Sequence, residues 1–218
     1  MTVTTTLLDL AGDLSAGRTS ARALVENCLA TIQDPHGEGG STFTEVHADR
    51  ALAAADAMDR LRAAGQAPSV FAGIPVSVKD LFDLQGEVTR AGSRVLANAA
   101  PADKDAEAVA RLKRAGFVII GKTNMTEFAF SGLGLNPHYG TPRAPWDRGV
   151  ERIPGGSSSG AAVSISDAMA FGAIGTDTGG SCRIPAAFCG IVGYKPTVGT
   201  VPSEGILPLS KTLDSAGP

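Results

Sequence analysis

From Ser20 onward the apolar positions recur at helical spacing. Leu24, Cys28 and Ile32 fall four residues apart on one face, which predicts a helix capped by Ser20 and running to about Asp34. Asp34-Pro35-His36-Gly37 breaks it, and Glu38–Ser41 read as continuing loop. His47 to Ala64 is Ala-rich and predicts a second helix, stopped by Gly65. Neither helix carries an evident chemical group. The period then changes. Ile74, Val76 and Val78 alternate with smaller or polar residues across 73–79, the two-residue period of a strand that ends at Lys79-Asp80. Asp105 is placed to cap a helix through Ala115, with Gly116 as its stop, and 117–120 (Phe-Val-Ile-Ile) follows as a short buried strand. Alternating strands and helices predict an α/β layered domain, and no repeat or low-complexity linker interrupts it.

The pattern breaks down in a second way between Gly155 and Pro196. Residues 149–218 carry 13 of the 27 glycines. Two Gly-Gly-Ser units, 155–157 and 179–181, place Ser157 and Ser181 24 residues apart. Glycine at that density weakens regular elements, so packing alone does not account for it; it suits backbone that turns sharply or presents bare N–H groups. A hydroxyl beside a row of N–H groups is what acyl transfer needs, a nucleophile next to an oxyanion hole. A flexible Gly/Ser linker is the bland alternative, but the apolar runs 168–174 and 184–192 are interleaved with the glycines, unlike a linker.

Composition narrows the picture. At 218 residues and 43% hydrophobic, the chain can bury a core as one domain. A net charge of −3 gives no electrostatic case for nucleic acid or an anionic membrane as partner. The N-terminal stretch has no basic residue before Arg18 and no long apolar run, so it does not read as a signal peptide. Cys28, Cys182 and Cys189 are odd in number and lack metal-ligand spacing, from which a reduced, cytoplasmic setting without a metal is expected.

Three short motifs are decoys. Residues 116–123 match GxxxxGK[ST], but a predicted helix precedes the first glycine and Phe-Val-Ile-Ile fills the middle, which offers no anion cradle. Residues 156–160 match the GxSxG elbow centred on Ser158, yet His36, His47 and His138 all lie upstream, the wrong order for that triad. Asn124-Met125-Thr126 matches a glycosylation acceptor by coincidence. With histidine disfavoured, a lysine is the remaining base suited to neutral pH, provided burial lowers its pKa. Lys104, Lys113 and Lys211 stand among charged or polar neighbours. Lys79 ends an apolar strand, where burial and snorkelling to water are equally compatible with the pattern.

The motifs GIPVSVKD (73–80), GKTNMTEFA (121–129), RIPGGSSSGAA (152–162), GTDTGGSCRIPAAFCGIVGYKPT (175–197) and SKTLDSAGP (210–218) strongly resemble the amidase signature enzymes, serine hydrolases of carboxamides. The resemblance runs almost end to end. It implies a mixed central sheet flanked by helices, and a single domain over 1–218 with a helical lead-in at 1–70 and a catalytic core at 71–218. It implies Ser181 as nucleophile, Ser157 as a bridging serine after a cis peptide, Lys79 as base, and the N–H groups of Thr178, Gly179 and Gly180 as oxyanion hole. No cofactor or metal is implied, and the expected substrate is a small-molecule amide. Asp177 and Arg183 flank the nucleophile and are suited to pair, and Cys182 reads as a small buried filler. One family alternative is the glutaminase-like component of a tRNA-dependent amidotransferase; Ile184 stands where a Gln is expected in that component, which disfavours it. The family's chain runs well beyond the LDSAGP segment. The expectation is therefore an N-terminal part that is marginally stable or self-associating alone and a poor amidase, completed by a C-terminal partner or a longer chain.

Overall fold

The computed structural model describes residues 5–218, so the first four positions of the N-terminal stretch lie outside the described residues. Its helices are α1 (Leu7–Ser15), α2 (Ala21–Gln33), α3 (Gly39–Thr42), α4 (Ala48–Ala63), α5 (Glu107–Arg114), α6 (Ser159–Ser166) and α7 (Arg183–Cys189). The strands β1 (Phe43–Val46), β2 (Pro75–Lys79), β3 (Val118–Thr123), β4 (Gly172–Asp177) and β5 (Ser215–Gly217) form one sheet in the order β1-β3-β2-β4-β5. The three inner strands run parallel and both edge strands antiparallel, so the sheet is mixed as expected.

The sequence explains the layering. Strands β2 and β3 are buried at every position, as parallel strands covered on both faces are. Val118 and Ile120 face α2 and α4, packing with Val25, Cys28 and Ala55. Ile119 points the other way, joining Val76, Val78 and Val109 of α5. Each fully buried side chain of this size contributes roughly 1.5–3 kcal/mol. Ser20 caps α2 as predicted, accepting from Ala23 N–H at 3.0 Å. Gly65 ends α4 in a left-handed turn at φ 70°. The GxxxxGK[ST] decoy is indeed strand β3.

Some elements differ from the sequence reading. The lead-in is not all helical: Phe43–Val46 pairs with β3, Glu45 opposite Lys122, as an edge strand too short to read from its pattern. Part of the expected loop at 38–41 is the one-turn helix α3, held by Thr42 N–H to Glu38 O at 2.9 Å. Helix α5 begins at Glu107 without a side-chain cap; the Asp105 carboxylate instead accepts from Gln85 N–H and Lys113 Nζ. Helix α1 falls within the expected helical lead-in; its Thr6/Asp9 capping box and buried Leu10 and Leu14 account for it. Among the described residues, no helix is long and apolar enough to cross a membrane.

Candidate active site

The parallel neighbours β2 and β4 end on the same side of the sheet, which brings the chain after each strand together. Lys79 is the last residue of β2. It is fully buried, and its Nζ lies 2.8 Å from Ser157 Oγ and 2.7 Å from Thr176 Oγ1 of β4. The strand-end lysine therefore does not snorkel to water. Burial pushes its ammonium down to about 8, while nearby Cys182, Asp177 and Asp214 pull only partly back.

Ser157 precedes α6 and is fully buried, and the Gly156–Ser157 peptide is cis. Besides Lys79, neighbouring backbone holds it in place. Gly156 N–H donates to Gly132 O at 2.8 Å, and Thr126 N–H donates to Ser157 O at 3.1 Å. A Cβ on Gly156 would sit 2.6 Å from Gly134 N, so the close approach requires glycine.

Ser181 lies between β4 and α7, 8% exposed, and Ser158 N–H donates to its carbonyl at 3.2 Å. No hydrogen bond joins the hydroxyls of Ser157 and Ser181 among the described residues. The loop is braced by Asp177, whose carboxylate accepts from Gly180 N–H (2.8 Å), Cys182 N–H (3.1 Å) and Arg183 Nε (2.9 Å). Burial alone would raise the Asp177 pKa; the Arg183 guanidinium and these amides outweigh it and hold it below the usual carboxylate range. The expected pairing of Asp177 with Arg183 is thus formed. Gly180 takes φ 141°, with Ile184 Cδ1 where a Cβ would go. Of the three amides expected as oxyanion donors, Gly180 N–H is committed to Asp177, while Thr178 and Gly179 bond no described residue through theirs.

The decoys resolve physically. Ser158 Oγ is turned away onto Thr176 O at 3.3 Å. Asn124 is fully buried, its amide donating to Ser41 O and Gly140 O. Cys182 is buried, its thiol pushed up to about 11 by burial, as a filler would be. Two groups escaped sequence reasoning. Thr176 lies in a strand with nothing to mark it. Lys122 is a second fully buried lysine, paired with buried Asp80 at 3.0 Å; only its place at the end of an apolar strand, shared with Lys79, signalled it.

A cavity of about 970 Å³ opens between α6 and α7 beside Trp146 and Phe188, and none of Lys79, Ser157 or Ser181 lines it. A second groove of about 540 Å³ is lined by Thr126, Phe128, Phe130 and Leu135.

This mixed sheet has counterparts among solved structures. The chain belongs to the Amidase family, whose sequence model matches residues 23–218. It is 45% identical over 213 residues to the A-subunit of glutamyl-tRNA(Gln) amidotransferase from Chromohalobacter salexigens, covering 98% of this chain and 43% of the relative. It is 44% identical over 205 residues to AtzE, a 1-carboxybiuret hydrolase component of Pseudomonas sp., covering 94% and 44%. The peptide amidase structure from Stenotrophomonas maltophilia superposes with TM-score 0.88 at 38% identity, over 98% of this chain and 44% of that one. The chain thus spans less than half the length of these relatives.

Proposed function

We propose that this chain carries the catalytic residues of a carboxamide hydrolase working through a Ser181 acyl-enzyme, with Ser157 and Lys79 as proton relay. The observation that carries the reading is the fully buried Lys79 amine, pushed down to about 8 and in contact with Ser157 Oγ. Once Lys79 loses its proton, its lone pair accepts the Ser157 hydroxyl hydrogen while an N–H still donates to Thr176 Oγ1. Ser157 in turn accepts the proton of Ser181 as that oxygen attacks the amide carbon. Thr178 and Gly179 N–H groups stabilise the oxyanion; Gly180, the third expected donor, contributes only where Asp177 releases it. Each such donor is worth on the order of 3 kcal/mol in the transition state. The proton then passes back through Ser157 to the leaving nitrogen, and the amine or ammonia departs. Water attacks the ester by the same relay, releasing the carboxylic acid and restoring Ser181.

The substrate is proposed to be a small linear amide, the whole of 1–218 acting as one domain with its catalytic core at 71–218, in the cytoplasm. The alternative reading, as the glutaminase-like amidotransferase component, draws on the 45% identity to that protein. Against it stands Ile184, an apolar side chain packed on Gly180 and Gly132 beside the nucleophile loop. A fluorophosphonate probe tests the assignment: labelling is expected at Ser181 and lost in Ser181→Ala together with turnover of simple amides. Labelling at Ser158, or turnover retained without Ser181, overturns it. Glutamine turned over in preference to other amides would favour the amidotransferase reading.

A further inference from the structure

Away from the serine–lysine site, three potential ligands converge where β1 meets α4. Glu45 stands on β1, His47 opens α4, and Glu87 comes from the loop after β2. One donor atom from each lies within 4.8 Å of the others. His47 Nε2 is 3.0 Å from Glu87 Oε2 and 3.7 Å from Glu45 Oε1. Ligands bound tetrahedrally at about 2.0–2.1 Å stand roughly 3.3 Å apart, and these two distances bracket that value. The outer oxygens are already used: Arg50 holds Glu87 Oε1 and Arg90 holds Glu45 Oε2. Each carboxylate is thereby fixed by one oxygen and presents the other to the imidazole.

A second observation is independent of the clustering. His47 and Glu87 are 8% and 6% exposed, yet His47 Nε2 and Glu87 Oε2 complete no hydrogen bond with any described residue. Buried polar atoms are rarely left in this state without a partner. We propose that Glu45, His47 and Glu87 form a divalent-cation site of the zinc type, one imidazole and two carboxylate ligands with a fourth position open. The cysteines on which the expectation of no metal rested play no part in it. The ion ties the β1–α4 corner to the loop after β2.

The test is metal binding by the 218-residue chain, stripped with chelator and titrated with Zn²⁺ by calorimetry and with Co²⁺ by visible absorption. One equivalent of either ion is expected to bind, and Zn²⁺ to raise the thermal midpoint. His47→Gln and Glu87→Gln, each checked by circular dichroism for a retained fold, are expected to weaken binding at least about tenfold, the lower end of what losing even an outer partner costs a metal site. His36→Gln, outside the cluster, should bind as the parent does. Absence of stoichiometric binding overturns the proposal. So does unchanged affinity in folded His47→Gln and Glu87→Gln, or loss of affinity in His36→Gln alone.

Discussion

Lys79 shows how one side chain can be costly and useful for the same reason. Its nearest polar neighbours are hydroxyls, with no carboxylate in contact. Desolvation therefore dominates and the amine sheds its proton near pH 8. On the proposed mechanism only the neutral amine works, so kcat/KM for an amide is expected to rise with pH through a midpoint near 8. Lys79→Ala should remove that limb, and replacing the three histidines should not. The same shift acts on stability. The folded chain binds this proton less tightly than the unfolded one, so the Lys79 contribution improves as pH rises from about 8 to 10.5 and is least favourable below 8. That window corresponds to on the order of 3 kcal/mol. Lys79→Met is expected to abolish turnover yet raise the thermal midpoint at pH 7. The gain stays below that figure because the Ser157 and Thr176 hydroxyls lose their partner. A lower midpoint at pH 7 and an unchanged one at pH 10 would contradict this.

At the scale of elements, the first turn of α6 approaches α3 and the chain just after β3 too closely for a side chain. A Cβ on Gly160, in its first turn, would meet Thr42 O at 2.4 Å and Asn124 N at 2.7 Å. These are backbone atoms and cannot swing aside. Gly160→Ala should cost about 1–3 kcal/mol through overpacking, read as a lowered urea midpoint, although alanine is the better helix former. If α6 matters by seating Ser157, amide turnover should fall with it. Such close approach also explains what could be read beforehand. Long periodic elements were legible: α2 from Leu24, Cys28 and Ile32, and β2 from Ile74, Val76 and Val78. The two serines were legible because glycines frame them. Lys79 needed the family resemblance, since pattern alone left burial and solvation balanced. Strand β1 is four residues that earn their place only by pairing with β3, and Thr176 acquires meaning only through β2 lying beside β4. Information of that kind resides in tertiary neighbours, which a local pattern cannot hold.

At the scale of the molecule, one face carries large apolar groups in contact with water. Trp146, Phe188, Val192 and Tyr194 are 74%, 50%, 90% and 60% exposed, and the first three line the 970 Å³ cavity. Apolar surface gathered in this way favours association. The 218-residue chain is expected to scatter light as species heavier than its 22.1 kDa monomer, and Phe188→Glu with Val192→Glu to shift it toward monomer. A monodisperse parent chain at 22.1 kDa would remove the idea.

The contact between Lys79 and Ser157 spans 78 residues of sequence, and that between Lys79 and Thr176 spans 97. Contacts this distant form only after long stretches of chain have been brought together, which is the slow part of folding. The lysine can be driven toward its neutral form only where β2, α6 and β4 are all in place around it. An unfolded or half-assembled chain holds an ordinary, charged lysine and two ordinary serines. On the proposed mechanism its reactivity is therefore latent until these elements have assembled, and a nascent chain emerging from the ribosome carries no active nucleophile to misdirect at the amides around it.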